Sequence, residues 1–184
     1  NGWDSFANPN EIEVSILING GYTSTDVQLK MQAIAESRRD CIAVLDTPVD
    51  KIEPADMVSW RNTIQNINSS YTALYGSWLY INDPYNDVKL YVPASGFVAA
   101  QYAYNDYVGE AWFAPAGFNR GQLNVIGVAR VFSQGDIELL YANQINPIQR
   151  FGGQGTVIWG QKTQQVKASA LSSVNVRRLL ITVE

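Results

Sequence analysis

The segment GGQGTVIWGQKT, residues 152–163, falls one residue short of a phosphate-binding loop motif. In the motif G-x-x-x-x-G-K-[ST] a lysine follows the second glycine directly, whereas Lys162 here lies two positions after Gly160. The four residues between the glycines, TVIW, are β-branched or aromatic and favour a strand over a loop. The segment therefore predicts a glycine-rich turn followed by a strand, with Gly160 as a small residue where another backbone approaches. A nucleotide-binding protein remains an alternative.

Asp46 and Ser95 form a second candidate group, one with the chemistry of a hydrolase. Asp46 ends the apolar run CIAVLD, and Ser95 begins an alanine-rich helical segment just after a strand. The loops that follow parallel strands carry the sites of open α/β sheets, and the two segments resemble the aspartate and serine segments of subtilisin-type proteases. The chain has no histidine to activate a serine, although a divergent serine hydrolase remains an alternative. The simpler interpretation is that Ser95 caps its helix while Asp46 holds the following turn.

Composition argues against several classes of protein. A net charge of −4 does not suit a protein that binds a nucleic-acid backbone, so no nucleic-acid partner is expected. No stretch approaches the roughly 18 apolar residues that a membrane span needs, so no membrane insertion is expected. The chain has no histidine, the commonest metal ligand, and its single cysteine, Cys41, cannot form a thiolate metal cluster, so neither a metal nor a cofactor is predicted. The absence of an initiator methionine and the apolar run at the end suggest a fragment of a longer protein.

The elements that must position these residues alternate between strand and helix in the first part of the chain. This alternation predicts an α/β fold, with a mostly parallel sheet flanked by helices. The predicted strands are 13–18, 41–46, 72–81 and 88–92. The predicted helices begin at Thr25, with Gln28 completing a capping box, at Pro54 and at Pro93.

The amino-acid composition changes near residue 120, after which glycine, asparagine and glutamine become frequent. A short helix is predicted at 135–144, and two strands joined by a turn at 152–155 follow it. We therefore place a domain boundary here, with an α/β domain over 1–120 and the truncated start of an α+β assembly domain over 121–184.

Two surface features are candidates for contact with partners. Tyrosines beside polar residues, as in QYAYNDY, are typical of protein interfaces, which keeps a carbohydrate- or host-surface-binding module as another alternative. Arg177 and Arg178 are adjacent and point in different directions, so that one could pack inward while the other faces a neighbour. With Asn175, they are the candidate subunit-interface residues.

Three stretches, in order, resemble contractile tail sheath proteins of the bacteriophage type. They are VPASGFVAAQYAYNDYVGEAWFAPAGFNRG (92–121), LYANQINPI (140–148), and GGQGTVIWGQKT with SSVNVRRLL (within 152–180). The resemblance implies a subtilisin-like domain without catalytic activity. It also implies a structural subunit that polymerises as hexameric rings around an inner tube and contracts to drive the tube through a target envelope.

The same resemblance implies the partners and the location of the protein. The partners would be other sheath subunits, the tail tube and the baseplate, and the protein would lie in the tail of a virion after synthesis in the host cytoplasm. The terminal segments that exchange strands between subunits are not recognisable in this chain, so the isolated chain can stay monomeric.

Overall fold

The computed structural model describes residues 2–183 and contains a six-stranded sheet in the order β1-β2-β3-β8-β9-β6 and a three-stranded sheet in the order β5-β4-β7. The strands are β1 Ile16–Ile18, β2 Ile42–Asp46, β3 Thr72–Gly76, β4 Leu79–Asp83, β5 Val88–Val92, β6 Gln122–Leu123, β7 Gly127–Val128, β8 Ile145–Phe151 and β9 Gly155–Ile158. The helices are α1 Thr25–Arg38, α2 Pro54–Trp60, α3 Ser95–Val108, α4 Gly117–Arg120, α5 Gln134–Ala142 and α6 Val174–Val183. A π-helical turn, Arg61–Gln65, extends α2, and short 3-10 turns lie at Gly2–Phe6 and Ala170–Ser172.

The larger sheet is mostly parallel, as the sequence predicts. Strands β1, β2, β3 and β8 run parallel, whereas β9 and β6 join the edge in antiparallel pairs. Every residue of β2 and β3 is buried, which explains why their sequences are mostly apolar and do not alternate between apolar and polar residues. Helices α1, α2 and α5 contribute to the core on one face of this sheet, and α3 and α6 to the core on the other. The predicted α/β fold with flanking helices is confirmed.

One predicted strand, 72–81, is wrong as a single element. The chain leaves β3 at Gly76, turns through Ser77 and Trp78, and enters β4 in the smaller sheet. Ser77 has a φ of 95°, a conformation that a non-glycine residue rarely adopts and that ends the extended strand. Strand-forming residues lie on both sides of this turn, so residue propensities alone predict one continuous strand.

Strands from both sides of residue 120 share the larger sheet. Strand β8 pairs with β3 through Leu74 and Ile145, and β9 then pairs with β8. The predicted helix at 135–144 is found as α5, whose first turn is closed by a capping box between Ser133 and Asp136. The division of the chain near residue 120 stays a prediction, and it would have to separate neighbouring strands of one sheet.

Cys41 lies immediately before β2 and is completely buried. Burial raises the pKa of its thiol to about 11. Among the helices of residues 2–183, we find none with the length and hydrophobicity to cross a membrane.

Candidate functional site

The fold brings Asp46 and Ser95 together at the carboxyl end of the parallel strands. Asp46 is the last residue of β2, and Ser95 is the first residue of α3. The Asp46 Oδ1 atom accepts the backbone N–H of Ser95 at 2.7 Å, and its Oδ2 atom accepts the N–H of Gly21 at 3.1 Å. The Ser95 hydroxyl accepts the N–H of Gly20 at 3.3 Å. These contacts tie the loop after β1 and the start of α3 to the end of β2.

The prediction that Ser95 caps its own helix is wrong. The capping position of α3 is Ala94, and no side chain at that position bonds to the helix. The carboxylate of Asp46, which lies about fifty residues earlier in the chain, accepts the backbone N–H of Ser95, a first-turn group that has no partner within the helix. A negative charge at this end also interacts favourably with the helix dipole.

Buried amide side chains surround Asp46 and continue away from it through the core. The Asn19 side-chain oxygen accepts the backbone N–H of Asp46, and the Gln28 amide donates to its backbone carbonyl at 2.9 Å. Gln65 donates to Gln28, and Gln164 donates to Gln65 at 2.7 Å. This chain of amides connects the end of β2 to residue 164 through side chains that are all buried.

Sequence reasoning missed this amide chain and misinterpreted one of its members. Gln28 was expected to close a capping box with Thr25, but α1 is preceded by Ser24 and has no side-chain cap. A glutamine at the start of a helix can either cap the helix or bond to other parts of the core. Only the fold shows that the Gln28 side chain is completely buried and therefore belongs to the core. The sequence offered no signal for Gln65 and Gln164.

The polar groups of Asp46 are used in hydrogen bonds that hold neighbouring segments together. Burial raises the pKa of Asp46, and the hydrogen bonds from Ser95 and Gly21 partly oppose this effect. The sequence contains no histidine, so Ser95 has no imidazole beside it to accept its proton. Within residues 2–183, no three His, Cys, Asp or Glu side chains lie close enough to hold a metal ion.

The near-phosphate motif forms a hairpin, as its residue types predict. Residues 152–154 are the turn between β8 and β9, and Gly153 and Gly155 each have a φ of 78°. A Cβ atom on Gly160 would lie 2.8 Å from the Asn146 side-chain oxygen and 2.9 Å from Pro147 Cδ. The predicted close approach at Gly160 is therefore confirmed.

Lys162, the residue that would bind phosphate in a true loop, lies against the end of α5. Its ammonium group donates to the backbone carbonyl of Tyr141 at 2.9 Å and lies 4.0 Å from the centre of the Tyr141 ring. The backbone N–H of Lys162 donates to the Asn146 side chain at 2.6 Å. No helix begins within the four residues after Lys162, so the loop-to-helix geometry of a phosphate site does not form.

Arg177 points inward from α6. Its guanidinium donates twice to the Ser70 hydroxyl, at 3.1 Å and 2.6 Å, and lies 4.1 Å from the centre of the Tyr71 ring. Only 5% of the residue is exposed. The side chain joins α6 to the segment just before β3.

Arg178 also points inward, whereas the sequence allowed one of the two arginines to face a neighbour. Its guanidinium donates to both carboxylate oxygens of Asp106, at 2.8 Å and 2.6 Å, and to the backbone carbonyl of Ala111 at 3.0 Å. It lies 4.8 Å from the centre of the Tyr102 ring, and the Tyr102 hydroxyl is 2.6 Å from that of Tyr75. Both arginines thus have internal partners, and the half-buried Asn175 makes no side-chain hydrogen bond to the described residues.

Comparison with known protein families gives a match over residues 3–164 to the family described as the phage tail sheath protein central domain. This chain belongs to the phage tail sheath family.

Curated tail sheath proteins from two phages align with nearly all of this sheath chain. The tail sheath protein of Enterobacteria phage T4 is 34% identical over 198 aligned residues, which cover 96% of the chain and 30% of the T4 protein. That of Vibrio phage KVP40 is 30% identical over 204 residues, covering 97% of the chain and 30% of the relative. The chain therefore spans less than a third of the length of these two relatives.

Solved sheath structures share the fold. The sheath complex of an extracellular contractile injection system, PVC, in its contracted state superposes with a TM-score of 0.75 at 22% identity. The match covers 95% of this sheath chain and 46% of the PVC chain. At this identity the likeness concerns the fold alone, which is the α/β architecture described above.

Proposed function

We propose that this chain is the central part of a structural subunit of a contractile tail sheath. The whole subunit would polymerise as helical, hexameric rings around an inner tube and contract to drive the tube through a target envelope. The observation that carries the proposal is the family match over residues 3–164, together with relatives at 34% and 30% identity along nearly the whole chain. Contacts between copies that do not close on themselves produce such helical arrays.

The proposal assigns no catalytic role to the chain. Asp46 and Ser95, whose segments resemble the aspartate and serine segments of subtilisin-type proteases, are in contact at the carboxyl end of the parallel strands, and this contact supports a subtilisin-like origin for the α/β layer. Their oxygens accept backbone N–H groups, and the surrounding side chains are amides. A subunit that slides against its neighbours needs a rigid interior, and these buried bonds provide one.

The expected partners are other sheath subunits, the tail tube and the baseplate, in the tail of a phage virion. Among the similar structures is one described as a helical sheath in a contracted state and another described as a baseplate, both from the anti-feeding prophage. Arg177, Arg178 and Asn175 remain proposed interface residues. Asn175 is the member of this group whose half-buried side chain is open to a neighbour.

Electron microscopy of the full-length protein tests the proposal. Under assembly conditions we expect tubular polymers or stacked rings, because each subunit would carry complementary surfaces that repeat along the array. Dispersed particles under the same conditions would count against a sheath role. Labelling of Ser95 by a fluorophosphonate probe would favour the hydrolase alternative instead.

A further inference from the structure

Asn19 and Gly20 form a chemically labile pair in the loop after β1, where that loop meets the end of β2 and the start of α3. Asparagine is one of the thermally unstable residues. When glycine follows it, no side chain obstructs attack by the glycine backbone nitrogen on the asparagine side-chain carbonyl carbon. The sequence contains two Asn-Gly pairs, at residues 1–2 and 19–20, and the second lies within this junction.

The turn after β1 depends on both residues of the pair. The N–H of Tyr22 donates to the backbone carbonyl of Asn19 at 3.0 Å, and Gly20 and Gly21 between them have φ values of 56° and 85°. Two successive positive φ angles are typical of a type I′ turn, which glycine adopts without steric cost. The Asn19 side chain donates to the carbonyl of Tyr22 at 3.2 Å and accepts the N–H of Asp46 at 3.1 Å. An ionised carboxylate could not make the first of these two bonds.

The same bonds keep the pair from reacting. Attack requires the Asn19 side chain to rotate toward the Gly20 nitrogen, and that nitrogen to give up its proton. The side chain is instead held by Tyr22 and Asp46, and the Gly20 N–H donates to the Ser95 hydroxyl at 3.3 Å. Asn19 is only 2% exposed. Both reacting groups are therefore engaged elsewhere in the folded chain.

We propose that Asn19 is a deamidation site and that the contacts with Asp46 and Ser95 keep it unreactive in the folded protein. When the junction opens locally, the Gly20 nitrogen bonds to the side-chain carbon of Asn19 and the bond from that carbon to Nδ2 breaks. Ammonia leaves with the proton from the Gly20 nitrogen. Water then opens the resulting succinimide ring to give aspartate or isoaspartate. Gly20 is exposed, so solvent water reaches the ring.

Either product would weaken the junction. Aspartate cannot donate to Tyr22 once it is ionised, and it places a second carboxylate in the buried surroundings of Asp46. Isoaspartate also lengthens the backbone by one carbon, which displaces the N–H groups that Asp46 and Ser95 accept. The two residues that suggested hydrolase chemistry would thus protect the chain from a spontaneous reaction. The inference concerns bonds within one chain and does not rest on the sheath function.

The first test follows the deamidation of Asn19 in the full-length protein at mildly alkaline pH. Peptide mapping by mass spectrometry separates this site from the pair at residues 1–2. Because the reaction requires local opening, we expect conversion to be at least about tenfold slower in the folded protein than in guanidinium chloride. Equal rates in the two states would overturn the inference, as would the absence of conversion in the unfolded protein.

The second test removes the hydroxyl that accepts the Gly20 N–H. In folded Ser95→Ala we expect Asn19 to convert about threefold faster or more, because the junction opens more often. Ser69→Ala is the matched control, since Ser69 is also buried and its hydroxyl accepts one backbone N–H, from Tyr71 at 3.1 Å. Its rate should stay within about twofold of the wild-type rate.

The comparison of these two serine variants separates a local effect from general loosening. A wild-type rate in folded Ser95→Ala, or equal acceleration in both variants, would overturn the protective role of this junction. If Ser95→Ala does not fold, Ser95→Cys gives the same comparison, because a thiol is a much weaker acceptor than a hydroxyl. A thermal melt verifies that each variant is folded.

Discussion

Buried polar side chains connect segments of this protein that lie far apart in sequence. Arg38 donates to the backbone carbonyls of Phe6 and Ile12, and Arg61 donates to those of Ile67 and Gln164. Each buried guanidinium replaces water with several carbonyl oxygens, which limits the cost of removing it from solvent. Burial still lowers the pKa of Arg61, because none of the described carboxylates pairs with it.

For individual residues, the sequence predicted the local role of a residue better than the hydrogen bonds between two distant residues. Gly160 was predicted as a point of close approach because a glycine next to a strand-forming run is unusual, and the local pattern was enough. Asp46 and Ser95 were located by their positions after strands. The bonds that they make could not be predicted, because Gly20 and Gly21 contact them only through the packing of β1 beside β2.

Replacing Gly160 by alanine tests the close approach at β9. The new methyl group would press on Asn146 and Pro147, both buried neighbours, and we expect a loss of about 1–3 kcal/mol in the free energy of unfolding. Gly152→Ala is the matched control, since its Cβ would meet no atom within 4 Å and its φ is not positive. Urea-induced unfolding measures both variants. Equal stability of the two would show that the strand can shift to accommodate a side chain at residue 160.

At the scale of elements, the order of strands and helices was predicted well and the sheet to which each strand belongs was not. Hydrophobic runs indicated β2, β3, β8 and β9, because strands buried on both faces need apolar side chains throughout. The turn at Ser77 was missed, because its strained φ is imposed by packing rather than by residue type. Helix α6 falls in the predicted assembly domain over 121–184, for which no helix was assigned after the two strands joined at 152–155.

Arg178 secures α6 to α3, and its removal tests how the helix docks. In Arg178→Ala, Asp106 loses its partner and Ala111 loses a hydrogen bond, so we expect a loss of about 1–3 kcal/mol of stability, moderated because Asp106 is partly exposed. The backbone N–H groups of α6 should also exchange with solvent faster in this variant than in the wild-type protein. Asn175→Ala, on the same helix, is the control and should cost less than about 0.5 kcal/mol. If the two variants exchange at the same rate, the guanidinium does not hold the helix.

This contact changes how an assembly experiment on the arginines must be interpreted. If Arg177 and Arg178 contacted a neighbouring subunit directly, reversing both to glutamate would weaken polymerisation through the loss of that contact. Because both side chains have internal partners, the same change would first release α6 from the rest of the protein. Asn175 is the better position for testing an interface on this helix.

At the scale of the whole molecule, the larger sheet runs across the predicted boundary at residue 120. The change in composition that suggested the boundary coincides with a run of short elements, α4, β6 and β7, between the sheet's first three strands and β8. Amino-acid composition describes each segment of the sequence separately. It cannot show that a later strand pairs beside an earlier one. The proposal that 121–184 begins an assembly domain must therefore account for β8 and β9 as part of the central sheet.

Equilibrium unfolding of the chain distinguishes one cooperative unit from two. We expect a single transition, with far-ultraviolet circular dichroism and tryptophan fluorescence changing together, because β8 packs directly against β3. A shorter chain of residues 1–120 should show no cooperative transition, since β3 would be left with an unpaired edge. Two separated transitions in the chain of residues 1–184 would support the division near residue 120.

The burial of Cys41 has a practical consequence. The only thiol of the chain is completely buried and has a pKa of about 11, so at neutral pH it stays protonated and out of reach of alkylating dyes. A cysteine introduced at an exposed position would be the one reactive thiol of the native chain. Fluorophores or spin labels attached there could then report distances to a second labelled position of this chain without removal of Cys41.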